Sequence, residues 1–319
     1  MYRLASVACI ILALAASTAA AQENRSLTFA WPAGAEAVVT VSSSTSASIM
    51  EQASSMEETL TYRLRTEAQG DELILRYSDY VVAGEPIEAI VADADLPELD
   101  RILSSVQADV RVGPDGEFLG VVDYEGTRAS MEELVAPQRE SMDAQGMGGS
   151  LDRFVDMALS EEAKADAAER QWNQMVGFWA GRTLAVGEPV RVSIERPFPL
   201  KTDFRPELET ELRLIGPVDC PEGSGATRCV ELTSSAAPDD EELRTLMDSF
   251  MADISEQAPG MSLTSMDLRM ESTLVVDEAT LRPLRLETTS DAALEWDERG
   301  FGAATMAGEE TVVTVFDWS

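Results

Sequence analysis

The sequence predicts an α+β fold: a large curved antiparallel sheet, half-barrel-like, with helices packed on its concave face. Three observations predict it. Many segments place an apolar residue at every second position, the pattern of strands with one wet and one dry face. Two regions carry helical spacing instead. The two kinds of segment are segregated along the chain, not interleaved, which argues against a parallel α/β sheet.

The strand segments come in order. Leu60, Tyr62 and Leu64 alternate with Thr61, Arg63 and Arg65, and Leu73, Leu75 and Tyr77 come after a Gly70-Asp71 turn. Val106, Ala108, Val110 and Val112 run into the turn Gly113-Pro114-Asp115-Gly116, and Phe118 to Val122 returns. Val190, Val192 and Ile194 form a further run, then Leu208, Leu212 and Leu214 another. Met266, Leu268, Met270 and Leu274 alternate with polar residues, then Leu284 and Leu286, then Val312, Thr314, Phe316 and Trp318. Alternation of this kind belongs to antiparallel sheets.

Helical spacing appears first between residues 130 and 181. Ser130-Met131-Glu132-Glu133 reads as a capping box that opens a helix, Pro137 shortens or kinks that helix, and Ser160 caps a longer one. Trp172, Met175, Val176 and Trp179 fall at i, i+3, i+4 and i+7. A second helix over 240–257, capped by Asp239 or Asp240, places Leu243, Leu246, Met247, Phe250, Met251 and Ile254 on one face, and Pro259-Gly260 ends it. The expected layout is a signal peptide at 1–21 and a single α+β domain over 22–319. Within it come strands at 27–123, a helical insert at 130–181, strands at 188–236, a helix at 240–257 and strands at 262–318.

The leader expectation rests on Arg3, the apolar run Leu4–Ala16 and Ala19-Ala20-Ala21 before Gln22, the three zones of a secretory signal. The apolar run is shorter than the ~20 residues a bilayer span needs, so no stable membrane span is expected after cleavage. Arginine heavily outnumbers lysine, which occurs only at 164 and 201. With the high alanine content, this composition points to a Gram-negative bacterium and a periplasmic or secreted protein.

Charge and composition narrow the chemistry. The formal charge is −34. Such a field repels phosphate backbones and anionic lipid, so nucleic acid is not an expected partner. The chain has no histidine, which removes Ser-His-Asp and Cys-His catalysis and every His-ligated metal site. Past the leader, Cys220 and Cys229 flank a Gly-rich turn between two alternating segments, and in an oxidising compartment they form a disulfide.

Other motifs are weak. With 58 acidic residues, pairs such as Glu57-Glu58, Glu132-Glu133, Asp239-Asp240 and Glu309-Glu310 arise by chance and serve as solvated faces or caps. Asp93 to Asp100 resembles half a calcium loop, but it lacks the central Gly and Pro97 takes a ligand position. Met247/Met251 and Met266/Met270 have i, i+4 spacing; on a helix the first pair shares one face and could share a soft metal, whereas on a strand the second lies ~13 Å apart, too far to do so. Phe316-Asp317-Trp318-Ser319 is similar to the terminal strand of outer-membrane barrels, but charged residues occupy faces that would meet lipid. No catalytic residues, metal site or cofactor are expected.

The sum of these features resembles the periplasmic half-barrel proteins typified by the outer-membrane lipoprotein carrier. The resemblance is architectural, spans most of residues 27–318 and carries over no individual residue. It implies a non-catalytic binding or carrier protein for an apolar ligand, such as a lipid or acyl chain. The expected ligand-lining residues are Trp172, Met175, Trp179, Leu246, Met247, Phe250, Met251, Met266 and Met270. The alternative expectation is a structural or interaction protein of the envelope whose acidic surface meets a cationic partner. A hydrolase built on two carboxylates is the third.

Overall fold

The computed structural model describes residues 24–49, 52–83, 108–126, 128–129, 160–195, 207–236, 238–239, 241–245, 247–248, 261–298 and 302–319. The expected leader, the calcium-like loop at 93–100, the helix opened by Ser130 and most of the second helix lie outside these residues.

The described residues form thirteen strands: β1 (Asn24–Ser26), β2 (Glu36–Ile49), β3 (Gln52–Gln69), β4 (Glu72–Ala83), β5 (Asp109–Val112), β6 (Phe118–Val122), β7 (Thr183–Ala185), β8 (Pro189–Glu195), β9 (Glu207–Val218), β10 (Cys229–Ala236), β11 (Met261–Asp277), β12 (Pro283–Glu298) and β13 (Gly302–Trp318). Eleven of them form one sheet in the order β6-β5-β4-β3-β2-β13-β12-β11-β10-β9-β8, and β1 pairs with β7. Every pairing between these strands is antiparallel. β13 therefore sits between β2 and β12 and joins the two halves of the sheet.

This corrects the expected fold class. Strand dominates the described residues and helix is a small minority of them, so the fold is mostly β and not a balanced α+β with packed helices. The physical reason lies in the strand ends. Ser42 to Ser48, Ala53 to Ser55, Thr288 to Ala293 and Ala303 to Gly308 show no greasy alternation, yet each continues a ladder. Paired backbone groups hold these stretches in strands, and small side chains do not oppose the pairing.

Among the described residues helix is confined to short pieces. The main one is α1 (Glu161–Trp172), which runs into a π-helical turn at Asn173–Gly177. Ser160 caps α1 as its sequence requires, its hydroxyl accepting from Ala163 N at 3.1 Å. The residues 241–245 and 247–248 are helical. Asp239 Oδ1 accepts there from Glu241 N and Glu242 N, and Glu242 Oε2 accepts from Asp239 N, a reciprocal cap.

Register gives the sheet two chemically different faces. Leu64, Ala37, Trp318 and their neighbours at every second position form the inner face, which is buried at one end of the long strands. Arg63, Arg65, Arg76, Arg111, Arg191, Arg213, Arg269 and Arg285 all project from the other face. Many are paired there: Arg65 with Glu36 at 2.6 Å, Arg76 with Glu67 at 3.0 Å and Asp109 at 2.6 Å, Arg285 with Glu287 at 2.7 Å. Hydrogen bonds from Arg76 to Asp109 and Glu67 raise its pKa. These pairs are exposed, and each contributes ~0–1 kcal/mol.

The core closes over one end of the inner face. Residues 27–35 cross it and bury Leu27, Phe29 and Trp31. Trp31 makes edge contacts with Trp172 and Trp318, ring centroids 5.4 and 5.2 Å apart. Trp172 Nε1 donates to the Gly116 carbonyl at 2.8 Å, and Trp318 Nε1 to the Pro283 carbonyl at 2.7 Å. Gly116 has a φ of +86°, and a Cβ there would lie 2.9 Å from Phe29 Cβ, so turn geometry and packing both require glycine. Thr66 is fully buried; its hydroxyl donates to the Pro32 carbonyl at 2.7 Å and accepts from Ala35 N at 3.0 Å. The disulfide Cys220–Cys229 closes the loop between β9 and β10, where Cys229 pairs with Val218.

Candidate binding recess

The long strands leave the core behind. Along β12, Leu284 and Leu286 are buried, Thr288 and Ser290 half-buried, and Ala292 exposed. Where burial begins to fail, the π-helical turn stands over the sheet and a recess of about 330 Å³ remains beneath it. That volume is at the lower end of the range for small-molecule sites.

The registers fix its floor. Leu286, Thr314 and Val41 lie in one cross-strand row at the closed end. Thr288 and Val312 make the next row, and Met270, Ser290 and Glu310 the one after. The first and third rows are four residues apart on each strand, ~13 Å. Burial falls along that axis: Leu286 and Thr314 are each 8% exposed, whereas Glu310 is exposed. Thr288 meets Ser272 hydroxyl to hydroxyl at 3.0 Å.

The roof is Gln171, Gln174 and Met175, with Tyr62 closing the side over β3. The π-helical turn aims the roof. Phe178 N donates to the Asn173 carbonyl five residues back, at 3.1 Å, so the helix holds one extra residue in that turn. A Cβ at 177 would fall 2.0 Å from Asn173 Oδ1, a side-chain oxygen that would have to turn aside.

Of the residues expected to line a ligand site, the structure brings Met175 and Met270 together here. Trp172 and Trp179 do not join them; both are buried among the main core residues. Met266 belongs to a separate small cluster with Leu208 and Leu294, against which Leu243 and Met247 pack. Leu246, Phe250 and Met251 lie outside the described residues. Met266 and Met270 share the inner face of β11 but serve different environments. Sequence reasoning does not single out Val41, Leu286, Val312, Thr314, Gln171 or Gln174 as site residues. The period-two pattern marks Leu286 and Val312 as inner-facing, but no local signal separates a recess wall from a packed core.

A second, larger groove of about 680 Å³ lies at the far end of the same strands. Its walls include Ser46, Ser48, Ser55, Asp267, Arg269, Asp291 and Glu309, outer-face residues by register. It is open and lined by hydroxyls and charges, chemistry that does not suit an apolar ligand. Lys164 on α1 is half-buried, and desolvation lowers its pKa; it lines neither concavity.

Among the described residues no group of three or more acidic or cysteine side chains could hold a metal ion. No described helix is long and apolar enough to cross a membrane. No protein-family model matches the chain, and no curated protein matches it.

Proposed function

We propose that this is an exported, non-catalytic binding or carrier protein for an apolar ligand, which it holds between the π-helical turn and the inner face of β2, β12 and β13. The observation that carries the reading is the recess itself. Val41, Tyr62, Met175, Met270, Leu286 and Val312 give it apolar walls, interleaved with as many polar residues that can orient a ligand. Met175 and Met270 add adaptable thioether side chains that accommodate more than one ligand shape. Supporting the exported setting are the leader-like first residues and the disulfide.

The test is displacement of a fluorescent apolar reporter by dodecanol. Met175→Trp and Val312→Trp each fill the recess, and each weakens dodecanol binding at least tenfold while urea unfolding stays cooperative. Reporter binding that neither variant alters refutes the reading.

A further inference from the structure

Resting on that reading, we infer that the recess selects a cationic amphiphile, an aliphatic chain ending in an amine or ammonium group, over a fatty-acid-type anion. The inference comes from where charge stands along the recess. Its closed end is uncharged, formed by Leu286, Thr314 and Val41, and its open end carries the Glu310 carboxylate ~13 Å away. Among the described residues no arginine or lysine lines the recess.

That absence is part of a wider asymmetry. Every arginine on the described strands of the large sheet projects from the outer face, whereas the inner face holds the carboxylates Glu58 and Glu310 among its described side chains. Glu58 stands on β3 in the row of Ser43 and Val312, outside the lining of the recess, so Glu310 is the carboxylate at the opening among the described residues. Glu310 has no hydrogen-bond or ion-pair partner among the described residues.

A chain with a carboxylate head, seated tail-inward, would set like charge against Glu310 beside a low-dielectric wall, with no cation among the described lining residues to offset it. An amine head in that position gains a carboxylate partner and stays partly hydrated at the mouth. Gln171 and Gln174 add amide groups to the same lining. A neutral alcohol is tolerated and gains nothing from the charge.

Dodecylamine, dodecanol and dodecanoate separate these cases, each titrated below its micellar concentration into the full chain at pH 7. The amine is expected to bind about five- to tenfold more tightly than the alcohol, with the acid weakest. Glu310→Gln brings the amine down to the alcohol's affinity and leaves the alcohol unchanged. Glu309→Gln makes the same change in net charge on the opposite face and leaves all three affinities as they were. If Glu309→Gln weakens the amine as much as Glu310→Gln, the preference belongs to the overall negative field and the inference is wrong. It is equally wrong if Glu310→Gln leaves the amine untouched. Dodecanol that does not bind, or that binds regardless of Met175→Trp, removes the apolar-ligand reading and this inference with it.

Discussion

Leu286 and Ala292 lie six residues apart on the same face of β12, one sealed and the other bare. The same contrast runs across β2, β3 and β13, whereas on β11 and β12 it is interrupted by the small buried cluster of Met266 and Leu294 with Leu208. At one end of these strands the inner face meets Trp31, Trp172 and the residues of the π-helical turn. At the other, Thr45, Ser54 and Ala292 present small side chains with little packed over them among the described residues. Both ends are equally regular in hydrogen bonding. Strand geometry therefore does not report where the stability lies: the ladder is continuous, but most hydrophobic burial is in one half, and the cluster of Leu208, Met266 and Leu294 is a small second centre.

The sharpest way to break that comparison is in the sealed half. Trp172→Ala removes a ring that is 1% exposed and a hydrogen bond to the 113–116 turn, and should cost about 3–5 kcal/mol in urea unfolding. A loss below ~1 kcal/mol would mean that the aromatic cluster does not anchor the core. Next comes the disulfide. The double variant C220A/C229A releases a loop with a sequence separation of nine and should cost about 2–3 kcal/mol; an unchanged midpoint would show that β9 and β10 hold the loop without it. The smallest effect belongs to the bare half. Thr45→Ala and Ser54→Ala should each stay within about 0.5 kcal/mol of the parent. Amides of 42–48 and 303–309 should exchange with deuterium faster than those of 36–41 and 312–317. Equal protection along β2 and β13 would contradict a division into two halves.

Much of the sealed half is legible in the sequence, and much of the bare half is not. Leu60, Tyr62 and Leu64 alternate because one face is dry, and burial is what writes period two into a strand. Ser42-Ser43-Ser44-Thr45 has no dry face, so its sequence carries no such mark, and periodicity underestimates the strand content there. The helical spacing of Trp172, Met175, Val176 and Trp179 identifies a buried face but not its partition. Met175 shares the buried core with Trp172, Val176 and Trp179 and also lines the recess, a double role that spacing does not reveal. Glu310 sits beside Glu309 in the chain, and adjacency suggests one solvated acidic patch. Pairing sends the two carboxylates to opposite faces of the sheet, which only register reveals.

The placement of β13 constrains assembly. It comes after all the other described strands in the chain, yet it lies at the centre of the sheet and bridges β2 to β12. The N-terminal strands β2 to β6 and the later strands β8 to β12 can each zip up locally, but nothing links them edge to edge until β13 arrives. Its pairing with β2 spans more than two hundred residues of chain, the kind of distant contact that makes folding slow. Until that last strand docks, β2 and β12 both present open edges. Such late closure leaves the two halves joined only through the chain until the final strand is paired on both sides.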